Sequence, residues 1–205
     1  MAVFRTLLAS LVVLAGGIGV LCQATDGLHA FTTETARRIT IRDHQPVVPT
    51  VQLETADDRQ ISFESLRGRW LVVDFIYTRC TLLCSLQGAA FRRMQQALAE
   101  PIAVGRVALL SVSFDPVHDD PAALRRYLHG HGAEADGWLA ARPVGAGGLT
   151  TLLRRFGVIV IPDGMSGFTH NAATLIVDPT GRIVTVFDWN DTTSTIRYVM
   201  ERLAS

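Results

Sequence analysis

Cys80 and Cys84 are the residues of this chain best suited to chemistry. They close the run Val72-Val73-Asp74-Phe75-Ile76-Tyr77-Thr78-Arg79-Cys80-Thr81-Leu82-Leu83-Cys84, and the remaining cysteine, Cys22, lies far upstream. Two thiols at this spacing can close a small disulfide or grip a soft metal ion. The apolar run before them reads as a strand, and Ala90, Phe91, Met94, Ala97 and Leu98 after them recur at helical spacing. A strand-to-helix junction favours thiolate chemistry, because free amide donors and the positive end of the helix dipole lower a thiol pKa there. The spacing alone leaves both chemistries open.

Composition narrows the alternatives. The chain contains no lysine, which excludes Schiff-base catalysis and a Walker-type phosphate loop. Basic and acidic residues balance at 19 each, so no global field draws the chain to nucleic acid or an anionic membrane. Its 205 residues, 48% of them hydrophobic, suffice for one domain with a proper core.

The elements that position the cysteines follow from pattern and punctuation. Residues 25–47 are polar and read as an irregular tether. Val51–Leu53 and Ile61–Phe63 read as short strands around Ala56-Asp57-Asp58, and Trp70–Tyr77 as a buried central strand. The helix after Cys84 should end before Pro101, and Val104–Phe114 form a second buried strand. Pro121 after two aspartates opens a helix to His129, Trp138–Ala141 form a strand, and Leu149–Phe156 form a helix stopped at Gly157. Proline and glycines make residues 161–167 a loop. Ala173–Val177 and Ile183–Phe187 form a hairpin around Asp178-Pro179-Thr180-Gly181, and a helix over Thr192–Leu203 closes the chain. The alternation predicts one α/β sandwich over residues 48–205, ending in a β-hairpin and helix.

Residues 1–24 read as an export segment. Arg5 supplies the positive flank, and Leu11–Leu21 is an unbroken run of apolar residues and glycine. Extended back to Leu7, the run is slightly short for a confident membrane span. Both a signal peptide cleaved after Ala24 and an uncleaved anchor through residues 6–22 fit. Leu21 is too large for the small residue that precedes a lipidated cysteine, which argues against Cys22 as a lipid acceptor. Export, to the periplasm or the extracytoplasmic face of a membrane, places Cys80 and Cys84 where an isolated pair oxidises unless a reductant or a metal intervenes.

The sequence Thr78-Arg79-Cys80-x-x-x-Cys84 after an apolar strand resembles the Sco/SenC family, thioredoxin-like copper chaperones of cytochrome c oxidase assembly. The resemblance continues through Ser113-Phe114-Asp115-Pro116 and Asp120-Pro121. It extends to His170, which precedes Ala173-Thr174-Leu175-Ile176-Val177-Asp178-Pro179-x-Gly181-Arg182, and covers residues 48–203. It implies a thioredoxin-like fold, a central mixed sheet flanked by helices, and a copper site made by Cys80, Cys84 and His170. Two thiolates suit Cu(I), and an added imidazole lets such a site hold Cu(II) as well. The implied partners are the copper-accepting subunit of cytochrome c oxidase and thiol reductants or other copper chaperones. The implied action is to deliver copper to that subunit or to reduce its cysteines. The chain departs from the family pattern where Thr81 and Ser85 replace the prolines that commonly follow each cysteine, and where Asn171 replaces a small hydroxyl residue. Losing the prolines should leave the motif more mobile.

A rival reading is a thiol–disulfide oxidoreductase or peroxiredoxin-like reductase, in which Cys80 and Cys84 are catalytic as a redox-active disulfide and His170 is dispensable. An assembly scaffold would need neither Cys84 nor His170. Asp74, in the buried strand, is expected at a polar strand edge or beside the thiols, where a carboxylate can relay protons. Asp115 reads as a turn former before Pro116, His129 and His131 as an exposed helix end, and Trp70, Trp138 and Trp189 as core or edge aromatics.

Overall fold

The computed structural model describes residues 2–24, 32–80, 83–134, 137–145, 147–164 and 167–204. The chain forms two units, residues 1–43 and 44–205. In the first, helix α1 (Ala2–Ala24) contains Phe4–Gln23, a stretch of mean hydropathy 2.0 that is long and apolar enough to cross a membrane. Helix α2 (Thr33–His44) corrects the expectation of an irregular tether. The Thr32 hydroxyl accepts the Thr35 amide at 3.1 Å, and Glu34 pairs with Arg37 and Arg38 at 2.7 and 2.9 Å. A cap and ion pairs one turn apart support a helix whose polarity concealed it. Residues 25–31 of the expected tether, His29 among them, lie outside the described residues.

The second unit is built on strands β1 (Gln52–Thr55), β2 (Gln60–Ser62), β3 (Trp70–Ile76), β4 (Val107–Ser113), β5 (Trp138–Pro143), β8 (Ala173–Val177) and β9 (Ile183–Asp188). They form one sheet in the order β2-β1-β5-β4-β3-β8-β9. β3, β4 and β5 are parallel, and the outer strands join antiparallel, so the sheet is mixed. β3 and β4 are almost wholly apolar because both faces are covered, as parallel strands require. Helices α3 (Leu83–Ala97) and α5 (Pro121–His131) supply the crossovers. α3 packs between α5 and the last helix, α7 (Thr192–Ala204).

Alternation along β3 divides the core. Phe75 meets Phe156 of helix α6 (Gly148–Phe156) at 5.2 Å, and Phe156 meets Phe63 at 5.5 Å. The next residue back, Asp74, faces the other side, toward α3 and α5. There Trp138 packs on Phe91 and Tyr127 at 5.5 and 6.0 Å and donates its indole N–H to Ser111 Oγ at 2.9 Å.

Two segments differ from expectation. Pro101 lies within a short helix, α4 (Ala99–Ala103), at its third position, where an amide would lack an intrahelical partner anyway. Gly105, with φ of 72°, then turns the chain, and β4 begins later than expected, at Val107. Residues 161–167 are not wholly loop. β6 (Val160–Pro162) and β7 (Phe168–His170) pair antiparallel as a separate two-stranded sheet, with Val160 opposite His170. Pro162 is tolerated because a two-stranded ribbon is all edge. Met165 and Ser166 lie outside the described residues.

Phe156 is fully buried between two aromatic neighbours on one side of the sheet. Phe156→Ala should lower unfolding stability by about 3–5 kcal/mol, seen as a shift of the urea midpoint at unchanged slope.

Candidate metal centre

Cys80 leaves the end of β3 and Cys84 enters the first turn of α3; among the described residues no cysteine is in a disulfide. The Cys84 amide donates to Cys80 Sγ at 3.3 Å, so the helix N-terminus points one of its free donors at that sulfur. The two thiols are not equivalent. Cys80 is partly exposed, whereas Cys84 is 1% exposed. Burial pushes the Cys84 thiol pKa well up, and the nearby Cys80 and Asp74 charges add to the shift. The expectation that the helix terminus lowers the thiol pKa fails at Cys84, because desolvation outweighs the dipole. Thr81, the first of the two missing prolines, lies outside the described residues with Leu82. Ser85, in the place of the second, is exposed in the first turn of α3.

A network of carboxylates fixes the Thr78-Arg79-Cys80 corner. Asp119 is fully buried and accepts from the Thr78 amide and hydroxyl at 3.0 and 2.6 Å and from the Ser113 hydroxyl at 2.6 Å. Asp115 accepts from Arg79 at 2.7 Å and pairs with His118 Nδ1 at 2.8 Å. Burial opposes ionisation of Asp115, but hydrogen bonds from His118 and Arg79 hold its pKa below the ordinary value. Asp115 is thus a loop anchor as well as a turn former. Asp119 was missed by sequence reasoning. The pair Asp119-Asp120 before Pro121 looks like one capping signal, but only Asp120 caps, accepting the Ala123 amide at 2.7 Å. The second acid of the pair was the available clue.

His170 ends β7. Its ring lies 5.0 Å from Phe114, and Phe114 and Phe168 both pack on Tyr77, at 5.3 and 5.2 Å. The Phe168 amide donates to the Tyr77 hydroxyl at 3.4 Å, and burial followed by contact with Cys80 raises the pKa of that hydroxyl. One aromatic wall therefore borders both the thiols and the histidine. Both ring nitrogens of His170 are buried without a hydrogen-bond partner, and burial lowers its pKa to about 4. The imidazole is neutral at pH 7 and has an unused nitrogen lone pair, which is the state a metal ligand needs. Among the described residues, however, no three His, Cys, Asp or Glu side chains stand within metal-holding reach of one another. Asn171 positions the histidine, accepting the Ile159 amide at 2.7 Å and donating to the Gly157 carbonyl at 3.1 Å.

Asp74 lies in the strand interior, fully buried, and the strand-edge alternative is corrected. Burial raises its pKa to about 7; Ser111, its register partner, opposes the shift without bringing either carboxyl oxygen a well-formed hydrogen bond. The Tyr127 hydroxyl and the Gln87 amide are likewise buried and without partners. His129 is exposed as expected, but His131 packs on Tyr127 at 4.6 Å, and burial lowers its pKa.

Comparison with known proteins follows the same outline. The SCO1/SenC family model matches residues 40–205. The SCO1 protein homolog of Bacillus subtilis is 28% identical over 134 residues, covering 64% of this chain and 68% of its own length. Among solved structures, BsSco, a disulfide-switch protein of the Sco family of cytochrome c oxidase assembly proteins, superposes with a TM-score of 0.67 at 24% identity, over 77% of this chain and 93% of its own. Yeast Sco1 with copper bound superposes with a TM-score of 0.64 at 19% identity, over 78% and 90%. At these identities the structures share the fold, which is the thioredoxin-like one.

Asp119→Asn leaves the buried Thr78 and Ser113 donors with one poorly matched acceptor. It should cost about 1–3 kcal/mol of stability and raise the rate at which Cys80 is alkylated, because the corner loosens. Asp74 is tested by pH. Its folded-state pKa of about 7 exceeds the ordinary 3.8, so the folded state binds the proton more tightly. Its stability cost is absent below that lower value, grows as pH rises toward 7 and then levels off. Asp74→Asn should therefore gain on the wild type between pH 4.5 and pH 8 in urea titrations, by up to about 4 kcal/mol at roughly 1.4 kcal/mol per pKa unit.

Proposed function

The chain belongs to the SCO1/SenC family, and from that premise we propose that it is a copper-handling chaperone of cytochrome c oxidase assembly. Cys80, Cys84 and His170 hold one copper ion as cargo. The cysteine thiolates are the soft ligands that Cu(I) prefers, and the imidazole adds the borderline nitrogen that also accommodates Cu(II). The observation that carries the reading is the buried, neutral, unpartnered His170 imidazole on the aromatic wall that also borders the thiols. A dithiol reductase has no use for a histidine held in that state. Copper would pass to the copper-accepting subunit of the oxidase through intermediates in which donor and acceptor share ligands, beginning at the more exposed sulfur of Cys80. If the pair instead closes to a disulfide, it has two electrons to regain from a thiol reductant before it can load.

The N-terminal helix supports an exported location. Its apolar stretch Phe4–Gln23 acts as a signal or anchor, residues 25–47 tether it, and residues 48–205 form the copper-handling domain at the extracytoplasmic face of a membrane, the periplasmic one in a bacterium.

A Cu(I) competition titration of the reduced, detergent-solubilised chain against a chromophoric chelator tests the reading. The wild type should take one tight equivalent. Cys84→Ser and His170→Ala should each weaken it beyond the roughly 10–100-fold typical of losing an outer-shell partner. Failure of the wild type to compete would refute the copper assignment.

A further inference from the structure

A cavity of about 500 Å³ opens beside the thiols, between α3 and α5; its wall includes Arg79, Cys80, Cys84, Ser85, Arg126 and His131. Among the described residues no carboxylate lines it. The two helices flanking it carry Arg92, Arg93, Arg125, Arg126, His129 and His131, and no Asp or Glu. In a chain with equal numbers of acidic and basic residues this is a local segregation of charge. Some of these cations are already matched: Arg79 pairs with Asp115, and Arg125 pairs with Asp58 and the Ala56 carbonyl. Asp120, at the start of α5, is used in capping. Arg92 and Arg126 are exposed, and among the described residues neither is in an ion pair. The Arg92 guanidinium reaches across to Gly132 at the end of α5, within 3.0 Å of where a side chain there would begin. His131 is seated over Gly88, whose missing side chain leaves room for its ring and lets the helices approach. The result is a groove with the thiols and Arg126 on its wall and Arg92 beside Gly132, next to the lining residue His131, neither arginine in an ion pair among the described residues.

We propose that this α3–α5 groove is a docking surface for an acidic, cysteine-bearing peptide segment of a partner protein. Charge complementarity selects the acidic segment, since Arg126 on the wall and Arg92 near it have no acidic partner among the described residues. The thiols select a sulfur-bearing one, because the reactive groups on the wall exchange ligands or disulfides with sulfur. The inference rests on the copper-chaperone reading only in that a copper acceptor brings its own thiolates; the groove's preference exists without metal.

The test uses the detergent-solubilised chain carrying Cys22→Ser and Cys84→Ser, which leaves Cys80 as its one thiol. Three hexapeptides of equal length, with one cysteine flanked by glutamates, glutamines or arginines, are supplied as 2-thiopyridyl mixed disulfides. The Cys80 thiolate attacks the peptide's cysteine sulfur and a protein–peptide disulfide forms. The thiopyridyl sulfur leaves with the bonding pair and takes up a proton to become the absorbing thione. At low salt the glutamate peptide should react about tenfold faster than the glutamine peptide and the arginine peptide slowest, with the spread shrinking as salt screens the rim. Arg92→Gln with Arg126→Gln should bring the glutamate peptide down toward the glutamine rate, and Arg92→Glu with Arg126→Glu should invert the order. Equal rates for the three peptides, or a ranking that survives both double variants, would overturn the proposal. Because no copper is present, the ranking supports the groove even where the copper titration fails, and its absence leaves the copper site to be judged on that titration.

Discussion

Asp119 is fully buried and accepts hydrogen bonds from Thr78, which leaves β3, and from Ser113, which ends β4; the corner that leads to Cys80 depends on it. A carboxylate without water must be satisfied by protein donors, and removing any of them leaves a large desolvation penalty uncompensated. The three donors therefore have little freedom, and the ends of two parallel strands are held together at the carboxyl edge of the sheet. Open α/β sheets bind their ligands at this edge. Cys80 follows Thr78 by two residues, and Arg79 between them is tied to Asp115. The corner that presents the exposed sulfur is thus held from both sides by the loop after β4.

Behind that corner the physics differs. Cys84 is sealed against the sheet, with Asp74, Tyr127 and Gln87 placed in the layer between the sheet and α3–α5. Five polar atoms there, two on Asp74, two on Gln87 and one on Tyr127, have no hydrogen-bond partner. Native cores seldom leave such groups unmatched, and they concentrate where function outweighs stability. Their effect on the thiols is one-sided. Burial, with the Cys80 and Asp74 charges adding to it, opposes ionisation of Cys84, whereas Cys80 Sγ is partly exposed and accepts the Cys84 amide. The two sulfurs therefore sit in unlike surroundings, one open to exchange partners and the other sealed from solvent.

Much of this was legible in the sequence, for reasons that differ by element. β3 and β4 are buried on both faces, so their continuous apolar runs left one reading, and Gly157 and Pro121 marked helix ends through backbone chemistry that needs no tertiary partner. The hairpin of β8 and β9 was equally plain from its turn residues. β6 and β7 escaped notice because each spans three residues around a proline and two glycines, a composition that local rules assign to a loop. α2 was hidden by its polarity. In the site, the cysteines and His170 were visible by residue type and resemblance, but the residues that hold them were not. Asp119 acts across a sequence gap of 41 residues from Thr78, and no local pattern encodes such a contact. Asn171, which looked like a departure from the family pattern, spans two backbone groups and anchors the histidine's strand.

The separation of His170 from the main sheet has a physical consequence for the copper site proposed above. The cysteine corner belongs to the seven-stranded sheet and its carboxylate anchors, whereas His170 sits on a ribbon of two short strands. Such a ribbon is marginal by itself and takes its order from what it packs against. Here those supports are the Asn171 bonds to Ile159 and Gly157 and the contacts of Phe168 with Tyr77 and Phe114. Two of the packing partners, Tyr77 and Phe114, are aromatic rings, whose contacts tolerate small sliding displacements better than a hydrogen-bonded strand pair tolerates a change of register. If Cys80, Cys84 and His170 hold copper as proposed above, a ligand set divided between a fixed corner and a lightly supported ribbon would lose its nitrogen before its sulfurs. Opening at His170 would leave two sulfurs on the ion, the state from which Cu(I) passes most readily to another pair of thiolates. On that reading the division of the fold orders the steps of transfer, with the histidine governing retention and the cysteines governing exchange.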